Sequence, residues 1–316
     1  MMDGELTNVT SEPRFYIFAF STSKHQRMII LSVILLIYLI ILSGNLLIIS
    51  LICLVRRLHT PMYFFLCNLS TLDIMYVTTT LPKLMYVCST GDHVVSYTAC
   101  MAQMYLYITL ADTECFLLTA MAIDRYVAIC YPLHYSLIMS KTICGLLAFP
   151  AWFMSSVNAS IMTYFVHNLT YIDLVEIKNF FCDLKAMMNT SISDITTLNT
   201  LIILNAVLIG VIPSCMISAS YACIIHTVLK IKSPGGRWKT FSSCSSHITI
   251  VVVYYGSAMS VYLQKSLVQD LVLSMMYVTL VPTLNPIVYS LRNRDIKGAL
   301  HMIIHRKRTW PSEKNI

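Results

Sequence analysis

Two carboxylates, Asp73 and Glu114, and two carboxamides, Asn45 and Asn285, stand inside long apolar stretches of this chain. A third carboxylate, Asp112, lies two residues before Glu114, and an Asp124-Arg125-Tyr126 triplet closes the same stretch. Ionisable groups in such surroundings cost several kcal/mol when unpaired, so they turn toward one another or toward water and commonly mark ion handling, ligand binding or switching. Two neighbouring carboxylates such as Asp73 and Glu114 suit a cation, or share one proton because like charges repel. A purely structural polar cluster holding helices together is the other reading. Acid–base catalysis is disfavoured, because no metal triad, nucleophile elbow or phosphate loop accompanies these residues. The chain reads as a protein that is not an enzyme.

The elements that must position these groups follow from composition. The 316 residues are 57% hydrophobic and 12% charged, with a mean hydropathy of +0.69, whereas a soluble domain carries about 25% charged residues. Crossing a bilayer takes roughly 20 apolar residues, and Met28 to Val55 contains no Asp, Glu, Lys or Arg. Further apolar runs at 61–83, 98–131, 142–166, 197–229, 240–263 and 271–291 bring the expected spans to seven. They lack the alternation of barrel strands, so helices are expected, because backbone groups in lipid must be satisfied within the segment. Pro150, Pro213, Pro282 and Pro286 fall inside them and are tolerated where neighbours re-satisfy the freed carbonyls. No internal repeat points to an inverted-repeat transporter.

Of the 22 Lys and Arg, 14 fall after the odd-numbered spans, among them Arg56, Arg57, Lys230, Lys239, Arg292 and Lys314; 7 fall on the opposite side, and Arg125 stands apart. The positive-inside rule then puts the N-terminus outside and the C-terminus in the cytoplasm. The formal charge of +7 reads as topology and as affinity for anionic membrane lipid, with no nucleic acid implied. Residues 1–27 form an extracellular segment without a signal-peptide pattern, 28–291 the seven-span unit, and 292–316 a cytoplasmic amphipathic helix and tail with Ile296, Leu300 and Ile303 on one side. Asn8 opens a glycosylation acceptor on the outer side; Asn168 and Asn189 open two more in the long segment 167–196, which is expected to lid the bundle. Most of the eleven cysteines fall within spans, as small hydrophobes. Cys88, Cys100 and Cys182 are the thiols on the outer side, and more than one pairing of them is open.

The stretch Met121 to Tyr135, MAIDRYVAICYPLHY, resembles the inner end of the third helix of vertebrate olfactory receptors, within the rhodopsin-like G-protein-coupled receptors. The resemblance continues in order through Gly44-Asn45, Leu58-His-Thr-Pro-Met-Tyr-Phe-Phe-Leu66, Ser220-Tyr221, Lys239-Thr-Phe-Ser-Ser-Cys-Ser-Ser-His247 and Pro282-Thr-Leu-Asn-Pro-Ile-Val-Tyr-Ser-Leu-Arg-Asn293. It implies an all-α seven-transmembrane helix bundle in the plasma membrane, without catalytic function, that binds a small volatile odorant and activates the olfactory stimulatory G protein in the cilia of olfactory neurons, raising cyclic AMP. A non-olfactory receptor of the same superfamily, or an ion-conducting protein, are the rival readings.

The same resemblance implies roles for residues. It pairs Cys100 with Cys182. It makes Asp124, Arg125 and Tyr126 the coupling switch, with Tyr221, His247 and Tyr289 as partners of Arg125, and it places Asp73 and Glu114, with Asn45 and Asn285 nearby, around a water-filled cavity where a sodium ion would act as an allosteric modulator. No other cofactor is implied. Counting outward from Arg125 at helical spacing gives Met104, Tyr105, Ile108, Ala111 and Asp112 as candidate ligand contacts; Asn205, Ala206, Ile209, Tyr255, Ala258, Met259, Tyr262, Met275 and Val278 match the family's pocket positions. Asp112 is atypical for the family. It is expected to serve either as counter-ion or acceptor for an amine or hydroxyl ligand, or as a water-bonded group in the cavity of Glu114. Two further cysteines usual in the second outer loop are here Ile172 and Ile192, which implies a less constrained loop. Asn179 stands where many relatives have a metal-holding His, so no metal site is expected.

Overall fold

A computed structural model describes residues 14–17, 23–171, 174–263, 267–292 and 294–308. Asn8, Ile172 and the tail beyond Arg308 lie outside the described residues, as do the side chains of Tyr262 and Ile303. Seven long helices form the bundle: α1 Lys24–Leu54, α2 Pro61–Thr90, α3 Tyr97–Cys130, α4 Lys141–His167, α5 Thr196–Leu229, α6 Pro234–Leu263 and α7 Leu267–Arg292. A shorter helix, α8 Arg294–Arg308, follows. Among the described residues, six of the seven carry a stretch long and apolar enough to cross a membrane; α6 opens on the basic and serine-rich run 237–247, which lowers its hydropathy.

The helix starts are written locally. Ser23, Ser96 and Ser140 each accept a hydrogen bond from the backbone N–H three residues on, relieving one of the free donors of a first turn; Pro61 opens α2, where its missing N–H costs nothing. Gly91 ends α2 with φ of 78°, a left-handed conformation that a side chain disfavours. A methyl there would also sit 2.5 Å from the Arg27 guanidinium. One end of the bundle carries a small sheet ordered β2-β1-β3, with β1 (Arg14–Ile17) antiparallel to β2 (Val94–Val95) and parallel to β3 (Leu174–Ile177). Phe15, fully buried, stacks on Tyr97 at 5.8 Å and meets Tyr171 edge-on. Asp124 and Arg125 lie at the opposite end.

Lipid is as apolar as a leucine side chain, so helices here associate by close packing and satisfied polar groups rather than by escape from water. Helix α3 is central, with buried positions along its whole length, while α1 and α5 leave most of their apolar surface on the outside. Gly44 lets α1 approach α7 so closely that an added Cβ would lie 2.9 Å from Pro286. Pro286 has no N–H to give the carbonyl of Pro282, four residues earlier, and the Asn45 amide donates to that carbonyl instead at 3.2 Å. Pro213 likewise frees the carbonyl of Ile209, at the π-helical segment Ala206–Val211 of α5. The Cys115 thiol of α3 takes it up, at 2.7 Å.

Helix α8 buries Ile296 and Ala299. Its Asp295 accepts from Arg57 at 3.0 Å and from Tyr63 at 3.3 Å, tying it to the α1–α2 turn; an exposed ion pair of this kind contributes about 0–1 kcal/mol.

Candidate functional site

Beneath the sheet, a cavity of about 310 Å³ opens between α3, α4, α5, α6 and α7. Its roof is the one-turn helix Leu184–Asn189, part of the long segment expected to act as a lid. That roof is fastened to α3 by a disulfide between Cys100 and Cys182. Gln103 adds a second tether, accepting from the Cys182 N–H at 2.9 Å and donating to the Thr79 carbonyl of α2 at 2.8 Å. Around the position of the family's extra bridge, hydrogen bonds hold the loop: Thr170 N–H donates to Ser193 at 2.7 Å, and Ile192 N–H and the Ser191 hydroxyl donate to the Thr170 carbonyl. Polar contacts at Thr170 thus lace the loop that lacks that bridge. Asp183 caps the roof helix through the Ala186 N–H. Loss of surrounding water pushes its carboxyl up to about 6, against the pull of Asn179, the Ala186 amide and Lys185. Among the described residues no three His, Cys, Asp or Glu side chains gather to hold a metal.

Five of the candidate contacts line this cavity: Ile108, Ala111, Asp112, Asn205 and Ala258. The others are placed differently. Met104 and Val278 are fully buried in helix packing, and Met275 packs half-buried against the same core. Tyr105 hydrogen-bonds Ser156 of α4 at 2.6 Å and faces a separate, wider cleft between α3 and α4, beside Tyr97, Tyr164 and His167. Ala206 and Met259 are exposed, Met259 at 62%. Ile209 and Tyr255 sit below the cavity, where Tyr255 and the Ile209 carbonyl meet Cys115 at 3.0 and 2.7 Å and so join α6, α3 and α5.

Helical counting on α3 passed over Tyr107, and the family's pocket positions did not include Met162, Asn199, Ile202 and Tyr277, which also line the cavity, or Asn158, whose amide donates to Asp112 at 2.6 Å. Tyr107 was adjacent to a chosen residue, so a wider stripe on α3 would have included it. Asn158 carried the signal of a carboxamide inside an apolar span, the same signal that picked out Asn45.

The four polar core residues do come together in part. Asn285 donates to Asp73 at 2.8 Å, and Asp73 is close enough to Glu114 for the two carboxylates to repel. One oxygen on each of Asn45, Asp73, Glu114 and Asn285 is buried without a hydrogen-bond partner in the structure. Buried acceptors left bare in this way are met by water or a small cation, and the hydroxyls of Ser70, Tyr76 and Tyr289 are likewise buried without a partner among the described residues.

At the far end of α3, Asp124 accepts from Tyr135 at 2.8 Å instead of turning to its neighbour. Arg125 reaches the Met62 sulfur at the start of α2. Tyr221, His247 and Tyr289 surround Arg125 within electrostatic range, but Tyr221 and His247 bond each other at 2.6 Å. The other ring nitrogen of His247 faces the Leu118 carbonyl at 3.1 Å, which can only accept, so Nε2 carries the proton and a neutral ring accepts from Tyr221 at Nδ1. Tyr126 meets Tyr131 edge-on.

Seven long helices around a central, buried α3, with a lidded cavity at one end, define a rhodopsin-like bundle. The structure aligns with that of squid rhodopsin at a TM-score of 0.72 over 93% of this chain and 90% of that one, with 16% identity. The family model for olfactory receptors matches residues 34–307. Human olfactory receptor 1E1 is 41% identical over 96% of this chain and 98% of its own length; canine olfactory receptor-like protein OLF4 is 39% identical over 96% and 99%, and human olfactory receptor 6Y1 39% over 97% and 96%. The chain belongs to the olfactory receptor family: it is a multi-pass membrane receptor, not an enzyme.

Proposed function

We propose that this receptor binds a small volatile odorant in the cavity beneath Leu184–Asn189 and responds by activating the olfactory stimulatory heterotrimeric G protein, raising cyclic AMP. The observation that carries the reading is the lidded cavity at one end of α3 and the Arg125 cluster at the other, so one helix touches both the site of entry and the site of exit. A cavity of about 310 Å³ lies at the small end of ligand pockets, about 300–1,000 Å³, and suits a volatile molecule. The N-terminus and lid face outward and Arg125 faces the cytoplasm, in keeping with the 14 Lys and Arg on that side; olfactory cilia are the expected membrane. Activation swings α6 outward, parts Tyr221 from His247 and frees Arg125 for the G protein. Asp73 and Glu114, with the bare oxygens of Asn45 and Asn285, hold sodium as a modulator of the resting state.

The test is a diverse odorant panel on cells that supply the olfactory stimulatory G protein, with cyclic AMP and membrane current read in parallel. Ligand-evoked cyclic AMP that disappears without the G protein supports the reading. A current that persists without it overturns it in favour of ion conduction. Replacing external sodium with a large organic cation should raise resting cyclic AMP; an unchanged level removes the sodium role.

A further inference from the structure

We infer that the cavity selects small aliphatic amines, whose ammonium group is held by Asp112 with Asn158 as its brace. This narrows the ligand-binding reading above and rests on it. Asp112 is 8% exposed and lines the cavity. One carboxylate oxygen accepts from the Asn158 amide of α4 at 2.6 Å, and the other has no hydrogen-bond partner among the described residues. An amide that donates to one oxygen fixes the carboxylate plane and leaves the second oxygen to a donor that the protein does not supply.

The charges around the cavity sharpen this. Its other lining residues of carboxyl or amine type are Asp183 and Lys185 in the roof, which act on each other, so the roof compensates itself. Among the described residues Asp112 has no such cation beside it. The polar groups on the packed elements are the carboxamides Asn158 on α4 and Asn205 on α5, the phenols Tyr254 and Tyr255 on α6 and Tyr277 on α7, and, further along α3, the Cys115 thiol and the carboxyl of Glu114. A carboxylate shielded from water and facing a cavity is matched by a ligand cation, because a charge-assisted hydrogen bond is shorter and about twice as strong as a neutral one. Ile108, Ala111, Met162, Ile202 and Ala258 give the rest of the cavity an apolar lining for an alkyl chain.

The probes are hexylamine, 1-hexanol and hexanal, equal in chain length and different only at the head. They are applied to the full-length receptor in the cyclic AMP assay, and to purified receptor in a thermal-shift measurement that needs no G protein. Wild-type receptor is expected to respond to hexylamine at a concentration lower by about tenfold or more than to the other two. Asp112→Asn is expected to erase that gap while moving the alcohol and aldehyde by less than about threefold, and Asp112→Glu to retain it. Equal potencies, a preference for hexanal, or an amine advantage that survives Asp112→Asn overturns the proposal. Hexanal preference would mean a carboxyl that donates its own proton. The two readings fail separately: a thermal shift by amine, lost in Asp112→Asn, without cyclic AMP leaves the amine site standing and removes the G-protein reading. Cyclic AMP evoked by neutral probes alone does the reverse.

Discussion

Asn45→Leu tests whether the α1–α7 contact depends on a substituted hydrogen bond. In the structure the Pro282 carbonyl lacks its helical donor because residue 286 is proline, and the Asn45 amide supplies one at 3.2 Å, with Asn45 fully buried. Leucine has nearly the same shape and donates nothing. Leaving a buried acceptor unpaired costs about 1–3 kcal/mol, and a chain of this size loses about 2 °C of melting temperature per kcal/mol, so a fall of about 2–6 °C is expected. The buried cysteines outside the disulfide, Cys88, Cys115, Cys144 and Cys244, allow unfolding of solubilised receptor to be followed with a thiol-reactive dye. Leucine also removes the bare Asn45 oxygen, which offsets part of the loss. Pro286→Ala separates the effects, since alanine restores a backbone N–H to the same carbonyl while keeping the Cβ that faces Gly44. In that background Asn45→Leu should cost less than half as much, a non-additivity expected only of residues that share a partner. An equal fall in both backgrounds would refute the substituted bond.

Three further outcomes follow from the two ends of the bundle. Arg125→Ala should reach the cell surface yet lose ligand-evoked cyclic AMP; full signalling at normal surface expression would defeat the switch. Cys182→Ser opens a loop closed over a sequence separation of 82 residues, a constraint of about 4 kcal/mol, and should lower surface expression and ligand potency together, measured by flow cytometry and dose response. Asp183 has its folded value raised to about 6 from 3.8 by burial, so its contribution to lid stability is full below about 3.8 and is lost as pH rises through about 6. Hydrogen exchange of residues 180–190 should therefore slow between pH 7.4 and 5 after correction for intrinsic rates, and Asp183→Asn should remove that change.

The spans were legible because lipid imposes one rule on every segment, and Met28–Val55 answers to Lys24–Leu54 within a few residues. The ends were less so. Pro82 and Lys83 read as the close of the second span, but α2 runs on to Thr90, since a proline inside a bundle does not end a helix. The basic residues before 240 hid the true start of α6 at Pro234. The strand Arg14–Ile17 left no trace, four residues being too few for an alternating pattern, and its pairing is set by distant loops. Cavity residues were legible on α3, where Arg125 anchors the count, and poorly on α5, where the π segment Ala206–Val211 shifts which residues face inward. Cys115 was read as apolar filler, because nothing local shows that Pro213 of another helix frees a carbonyl beside it.

Helix α6 holds α3 through two backbone acceptors. Tyr254 donates to the Ala111 carbonyl at 2.8 Å and His247 to the Leu118 carbonyl at 3.1 Å; the steps of seven residues on each antiparallel helix match, placing the contacts about 10 Å apart. Ala111 and Ala258 line the cavity just beside the first; Tyr221 and the surroundings of Arg125 lie beside the second. An outward swing of α6 at the Arg125 end therefore breaks the His247 contact while Tyr254 serves as the pivot, and Cys115, bonded to Tyr255 and to the Ile209 carbonyl, keeps α5 attached to that pivot. A ligand seated next to a pivot has to move its neighbours only slightly to displace the far end of a rigid helix by much more. On the proposals above, that leverage would carry the seating of a ligand at Asp112, one residue from the pivot carbonyl, to Arg125, thirteen residues further along α3.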